Sequence, residues 1–169
     1  MKDIIVRKIT EKDIPSVVDI QINGWKTAYR GIIDDDYLDT MNRDEIIARR
    51  KKGYKQNCFM VAELKKEVAG FCWYVDNNSF TPNEMDIDCE LIALYVRPDL
   101  KQKGIGTKLF QFVTNEFQNT NRTKMVVWCL KNNEPAKMFY TKMGGKIAKE
   151  KIVEIGGKNY SEVGFVYDI

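Results

Sequence analysis

The sequence predicts an α/β fold: a single mixed, mostly antiparallel twisted sheet of about seven strands, carrying about four helices. Two observations predict it. Short β-rich runs alternate with longer stretches of helical periodicity, in the order β α α β β β α β α β β. The 169 residues are also the size of one ordinary domain. A chain of that length buries about 70% of its unfolded surface, so one core suffices. No repeat, low-complexity run or linker interrupts it, and residues 1–169 read as a single domain.

Each element has its own signal. Ile4 to Ile9 is β-rich and reads as a first strand. Thr10-Glu11-Lys12-Asp13 resembles a helix cap, with Pro15 tolerated in the first turn. Ile14, Val17, Val18 and Ile22 then form one helical face. Gly24 to Asp36 reads as an aromatic and acidic connection, and Asn42 to Lys52 as a second helix. The basic run Arg49 to Lys52 complements a helix C-terminus, a better reading than a nucleic-acid patch.

Cys58 to Leu64 and Val68 to Val75 make a hairpin about a tight Lys65-Lys66 turn. A polar loop runs from Asp76 to Asp86, and Ile87 to Val96 is a long apolar strand. Leu109, Phe110, Phe112, Val113 and Phe117 mark a third helix starting near Gly104. Met125 to Leu130 is apolar throughout, as in a strand covered on both faces. Asn133 to Met143 is a fourth helix, with Pro135 in its first turn and Gly144-Gly145 after it. Ile147 to Ile155 and Tyr160 to Tyr167 flank Gly156-Gly157 as a closing hairpin.

Composition removes several chemistries. The chain has no histidine, which excludes Ser-His-Asp and Cys-His mechanisms. Its four cysteines, Cys58, Cys72, Cys89 and Cys129, lack zinc-site spacing, so no metal is expected. Each sits in an apolar run, as a buried reduced thiol does in a reducing cytoplasm. Charges interrupt the N-terminus too early for a leader, and no apolar run approaches a membrane span. A net charge of +3 is too small to argue for nucleic acid. The expected place is the cytoplasm.

The most informative segment is Leu94 to Thr107. A buried strand ends at Arg97-Pro98, and a basic loop with Gly104 and Gly106 opens a helix. Backbone N–H groups at such a helix start carry partial positive charge and can hold an anion. Glycine lets the ligand approach the backbone closely, and Lys101 and Lys103 add charge. The segment lacks the third glycine of a dinucleotide fingerprint and the Gly-Lys-Ser/Thr of a triphosphate loop. Alone, it is equally a helix entry that binds nothing.

Val96-Arg97-Pro98, followed by Lys101-Gln102-Lys103-Gly104-Ile105-Gly106, resembles the acetyl-CoA signature of the GNAT superfamily, Gln/Arg-x-x-Gly-x-Gly/Ala. Asn133 to Gly144 resembles that family's later block, Asn-x-x-Ala-x-x-Phe-Tyr-x-x-x-Gly, in the same order and spacing. The element order matches the family over nearly the whole chain. Two positions depart: Lys101 stands for Gln/Arg, and Gly145 for a usual phenylalanine.

The resemblance implies an acetyl-CoA-dependent N-acetyltransferase of GNAT-like fold, with the cofactor in a V-shaped opening between the fourth and fifth strands. It puts pantetheine on the backbone of Leu94 and Val96, pyrophosphate on the amides of Gln102, Lys103, Gly104, Ile105, Gly106 and Thr107, and Asn133 on the pantetheine arm. It gives the oxyanion to the N–H of Tyr95 or a neighbour. Tyr140 becomes the acid for the leaving thiolate; its other reading is packing beside Phe139. Glu90 becomes the base, directly or through water; its other reading is a contact to the substrate's cation.

Trp25, Tyr29 and Trp73 are candidates for the acceptor wall, or for core. Acidic stretches at Asp34 to Asp36 and from Glu84 to Glu90 suggest a cationic acceptor, although such loops are usually just solvated. The expected partner is a small-molecule or peptide amine, not nucleic acid or membrane, and a homodimer is left open. A module that holds acyl-CoA as a sensor, without turnover, is the competing reading. Tyr140 speaks against it, since a pure binder has no need of that phenol.

Overall fold

The structure, a computed structural model, describes residues 3–55, 58–81, 83–84 and 86–169. The first two residues of the stretch read against a leader therefore lie outside it, as do two positions of the polar loop. Seven strands form one sheet: β1 (Ile4–Lys8), β2 (Cys58–Leu64), β3 (Glu67–Val75), β4 (Cys89–Val96), β5 (Lys124–Leu130), β6 (Lys146–Ile155) and β7 (Lys158–Asp168). The strand order is β1-β2-β3-β4-β5-β7-β6. Every pairing is antiparallel except β4 with β5. The helices are α1 (Ile14–Ala28), α2 (Asp35–Asp39), α3 (Arg43–Gly53), α4 (Ile105–Asn119) and α5 (Glu134–Lys142).

Helices cover both faces of the sheet. On one, Leu109, Phe110, Val113 and Phe117 of α4 and Tyr140 of α5 pack on alternate residues of the strands, among them Cys72, Leu91, Val127 and Phe165. On the other, Ile14, Val17 and Val18 of α1 and Ile46 of α3 pack on Phe59, Val61 and Phe71. Alternation along each strand thus feeds two cores. A smaller third cluster joins Ile33 and Leu38, with Trp25, Tyr29 and Tyr160 beside them, to Leu130 at the end of β5.

Among the boundaries that differ from the sequence reading, three bear on the site. The first helix does not stop before Gly24 but runs to Ala28, so Trp25 lies on α1 and Tyr29 is its C-cap. Gly24 acts there as space rather than as a breaker: a Cβ on it would come within 3.1 Å of the Tyr95 ring. The connection after α1 holds an extra turn, α2, capped by the Asp34 carboxylate accepting from the N–H of Asp36. The fourth strand starts at Cys89 rather than Ile87. The cysteine reading also needs one change, because Cys58, at the first position of β2, is exposed.

Gly145 has a packing reason. A Cβ there would lie 2.5 Å from the Tyr167 ring and 2.6 Å from its hydroxyl oxygen. That hydroxyl donates to the carbonyl of Tyr140 at 2.9 Å, and the ring lies against Phe110. Tyr167 of β7 thus fills the space that a side chain at position 145 would take. Gly145→Ala is expected to cost about 1–3 kcal/mol by overpacking, read as a lower thermal midpoint. An unchanged midpoint would show that Tyr167 moves aside freely.

Candidate active site

The parallel ladder between β4 and β5 runs through only three pairs, Cys89 with Met125, Glu90 with Val126 and Leu91 with Val127. Beyond them both strands continue, to Val96 and Leu130, without pairing to each other. The β3–β4 register slips at this place, leaving Ile92 as an extra residue. A bulge bends its strand, so the opening begins where β4 bends.

The alternation of the β3–β4 ladder fixes what β4 presents to the opening. The N–H of Arg97 donates to the carbonyl of Ala69 at 2.9 Å, and the register is regular back to Ala93. Tyr95 therefore turns its N–H and carbonyl toward β3, while Leu94 and Val96 turn theirs toward the opening. Of the donors considered for an oxyanion, the neighbours of Tyr95 face the gap and Tyr95 itself does not.

One end of the opening meets the start of α4. Gly104 is its N-cap at φ +80°, a left-handed conformation suited to glycine, and no side chain caps the helix. The first intrahelical bond runs from the N–H of Lys108 to the carbonyl of Gly104 at 3.0 Å. The N–H groups of Ile105, Gly106 and Thr107 lie ahead of it and face outward with the helix dipole behind them. Gln102 is also left-handed, at φ +63°, and Lys101, Gln102 and Lys103 are exposed. Phe139 of α5 and Leu94 of β4 lie 3.4 and 3.6 Å from where a Cβ on Gly106 would stand, so these three residues line a narrow crevice.

Asn133 is buried and caps α5, its side-chain oxygen accepting from the N–H of Ala136 at 3.3 Å. That leaves its amide N–H₂ as the part able to reach a ligand. Tyr140, two helix turns onward, is buried between Phe139 and Phe165. Burial raises its phenol well above the ordinary range, so the proton stays on at any working pH. Tyr29 and Tyr95, its neighbours across the opening, are raised by burial as well.

Glu90 is buried on β4 beside the apex of the opening. It accepts from the Thr81 hydroxyl at 3.1 Å. Burial raises its pKa, while Lys151 and Thr81 hold it down. Most of the other residues in the two acidic stretches have partners: Asp88 accepts from the N–H groups of Thr123 and Lys124, Glu84 and Asp86 pair with Lys149, Asp34 pairs with Lys158 and Asp35 with Arg30.

The three predicted acceptor-wall aromatics separate into two groups. Trp25 donates its indole N–H to the Tyr95 hydroxyl at 2.8 Å and meets Tyr29 edge-on at 5.2 Å. Trp73 stands apart on β3, edge-on to Phe80, its buried indole N–H unpartnered among the described residues. The sequence reading also missed three groups on this face: Trp128 of β5, Lys151 of β6 and Glu162 of β7. Glu162 is raised by burial, opposed by Lys151, and its field reaches Tyr29, Tyr95 and Glu90. Strict alternation in β7 was the available signal. Val163, Phe165 and Tyr167 face the α4 core, so Glu162 must face the other way, into the site.

The profile of the acetyltransferase (GNAT) family matches residues 22–145. The chain belongs to that family. Membership makes it an N-acetyltransferase with acetyl-CoA as co-substrate. The GNAT relatives include an uncharacterised N-acetyltransferase of Bacillus subtilis, YuaI, 27% identical over 95% of this chain and 91% of that one. The spermidine N(1)-acetyltransferase of Thermoplasma acidophilum is 21% identical over 84% and 88%. Among solved GNAT-fold structures, the PaiA N-acetyltransferase of Thermoplasma acidophilum, in complex with coenzyme A, superposes with a TM-score of 0.74 at 17% identity, over 98% of this chain and 99% of that one. No helix among the described residues is long and apolar enough to cross a membrane.

Proposed function

We propose that the protein moves the acetyl group of acetyl-CoA directly onto a primary amine, with Tyr140 as acid and Glu90 as base. The observation that carries this is the β4–β5 opening, with unbonded N–H groups of α4 at one end and a buried phenol and a buried carboxylate beside it. Pyrophosphate sits on the amides of Gln102 to Thr107, with Lys101 and Lys103 as screening charges. Pantetheine adds to β4 at Leu94 and Val96, and Asn133 donates to its arm. Trp25 and Tyr29 wall one side of the acceptor space and Trp73 the other. The site works in a reducing cytoplasm, which suits its free cysteines.

The amine nitrogen attacks the thioester carbonyl carbon, and the oxyanion takes a hydrogen bond from the N–H of Leu94 or Val96. The carbon–sulfur bond then breaks, and the thiolate takes the Tyr140 proton. A lysine-like amine, with a pKa near 10.4, needs about 4 to 5 kcal/mol to be neutral at pH 7. Glu90 removes its proton, through water where the reach is long, and a raised carboxylate is the better base for it. An acceptor screen with acetyl-CoA, reading released thiol, tests the reading; a panel of primary amines without turnover would sink it.

Glu90→Gln is expected to lower kcat and to weaken its rise with pH, since the amide keeps the shape but takes no proton. The kcat profile against pH checks this. A raised KM with an unchanged profile would make Glu90 a contact for the acceptor's cation instead.

A further inference from the structure

The acceptor side of the opening already holds an alkylammonium group. Lys151 projects from β6 opposite Glu162 of β7. Its ammonium lies 3.6 Å from the Glu162 carboxylate and 4.1 Å from the centre of the Trp128 ring. Trp128 can lie in this way because its neighbour on β7 is Gly164; a Cβ there would stand 3.0 Å from the indole. Glu90 faces the same space, close enough to feel both Lys151 and Glu162. Two carboxyl groups, Glu90 and Glu162, thus face one lysine, and burial raises both of them while Lys151 opposes the rise.

A π-face and a carboxylate together favour a cation over its neutral form. A nitrogen seated there keeps its proton and cannot attack a thioester. It serves as the non-reacting end of an acceptor, the end that aims the other.

From this geometry we infer that Glu162 and the face of Trp128 form a subsite for a second ammonium group of the acceptor, which Lys151 occupies until the acceptor displaces it. The inference rests on the acetyl-transfer reading above and narrows its substrate class to alkyl diamines and longer polyamines. Lys151 is itself a butylammonium chain, so the subsite fits an ammonium on an unbranched alkyl arm. Lys151 is partly exposed, and its ion pair is long, so little holds it in place.

The subsite predicts opposite effects for its two charged residues. With 1,4-diaminobutane as acceptor, Glu162→Gln should raise KM at least tenfold, and Lys151→Ala should lower it severalfold. A merely structural Lys151–Glu162 pair would move both in the same direction. Wild type should prefer 1,4-diaminobutane over n-butylamine by tenfold or more in kcat/KM, and Glu162→Gln should erase that preference.

Binding is read separately, from the Trp128 indole N–H resonance of ¹⁵N-labelled protein titrated with 1,4-diaminobutane. A saturable shift, stronger in Lys151→Ala and absent in Glu162→Gln, supports the subsite even where no amine turns over; in that case only the catalytic reading falls. Turnover with equal KM in wild type and Glu162→Gln, or no saturable shift in Lys151→Ala, overturns the subsite and leaves the acetyltransferase standing.

Discussion

Tyr140→Phe is expected to lower kcat by about 10²–10⁴-fold and to leave acetyl-CoA affinity nearly intact. Only the hydroxyl is removed. The ring contacts with Phe139 and Phe165 survive. So does the bond from the Tyr167 hydroxyl, because its acceptor is the backbone carbonyl of residue 140. Folding should therefore be close to unchanged, and a large kinetic loss would belong to the proton.

The pH dependence has a definite sign. An acid must be protonated to act, and burial raises this phenol above its ordinary value. Activity that depends on it is lost only as pH rises through that raised value. No alkaline fall in kcat from Tyr140 should be seen up to about pH 10, the ordinary phenol value. Steady-state kinetics at saturating acetyl-CoA, with calorimetry for the cofactor, checks both parts. A loss below tenfold, where chemistry limits the rate, would leave Tyr140 as a packing residue.

The architecture was legible because its signals are local and periodic. Short β-rich and apolar runs marked the strands, and the i, i+3, i+4 spacing marked the helices. The misplaced end of α1 shows where this stops. Gly24 reads as a break, yet it lies within the helix because Tyr95, far along the chain, needs the space its side chain would take. Gly145 is the same case, explained only by Tyr167. A one-dimensional reading sees that a glycine is present, not which ring has come to lie against it.

The site divides in the same way. Leu94 to Thr107 and Asn133 to Tyr140 are continuous segments, and their spacing survives in the sequence. The group of Glu90, Trp128, Lys151 and Glu162 is assembled from β4, β5, β6 and β7, one residue from each. Glu90 was noticed because a carboxylate inside an apolar strand is conspicuous. Lys151 and Glu162 lie among other charged and polar residues of β6 and β7, and only the β6–β7 register brings them opposite each other. Trp128 read as core, and its ring face became visible only with Lys151 above it.

Gly106→Glu is expected to abolish coenzyme A binding in a protein that still folds. The position is the second residue of α4, within the run of N–H groups that lack intrahelical partners. A Cβ there meets Phe139 and Leu94 at 3.4 to 3.6 Å, which is ordinary van der Waals contact. Alanine should therefore fit, and Gly106→Ala serves as the folding control, with only a modest loss of affinity. Glutamate adds two carbons and a carboxylate to the same crevice. Its bulk would occupy the channel between β4 and α5 that leads into the opening. Its charge would meet a pyrophosphate at the positive end of the helix, and like charges close together in a partly buried site repel strongly. Calorimetry with coenzyme A, beside circular dichroism of both variants, makes the comparison. If Gly106→Glu is folded and binds coenzyme A as wild type does, the pyrophosphate does not lie on this helix. The cofactor would then have to enter the β4–β5 opening from elsewhere, and Lys101, Lys103 and Thr107 would lose their assigned contacts with it.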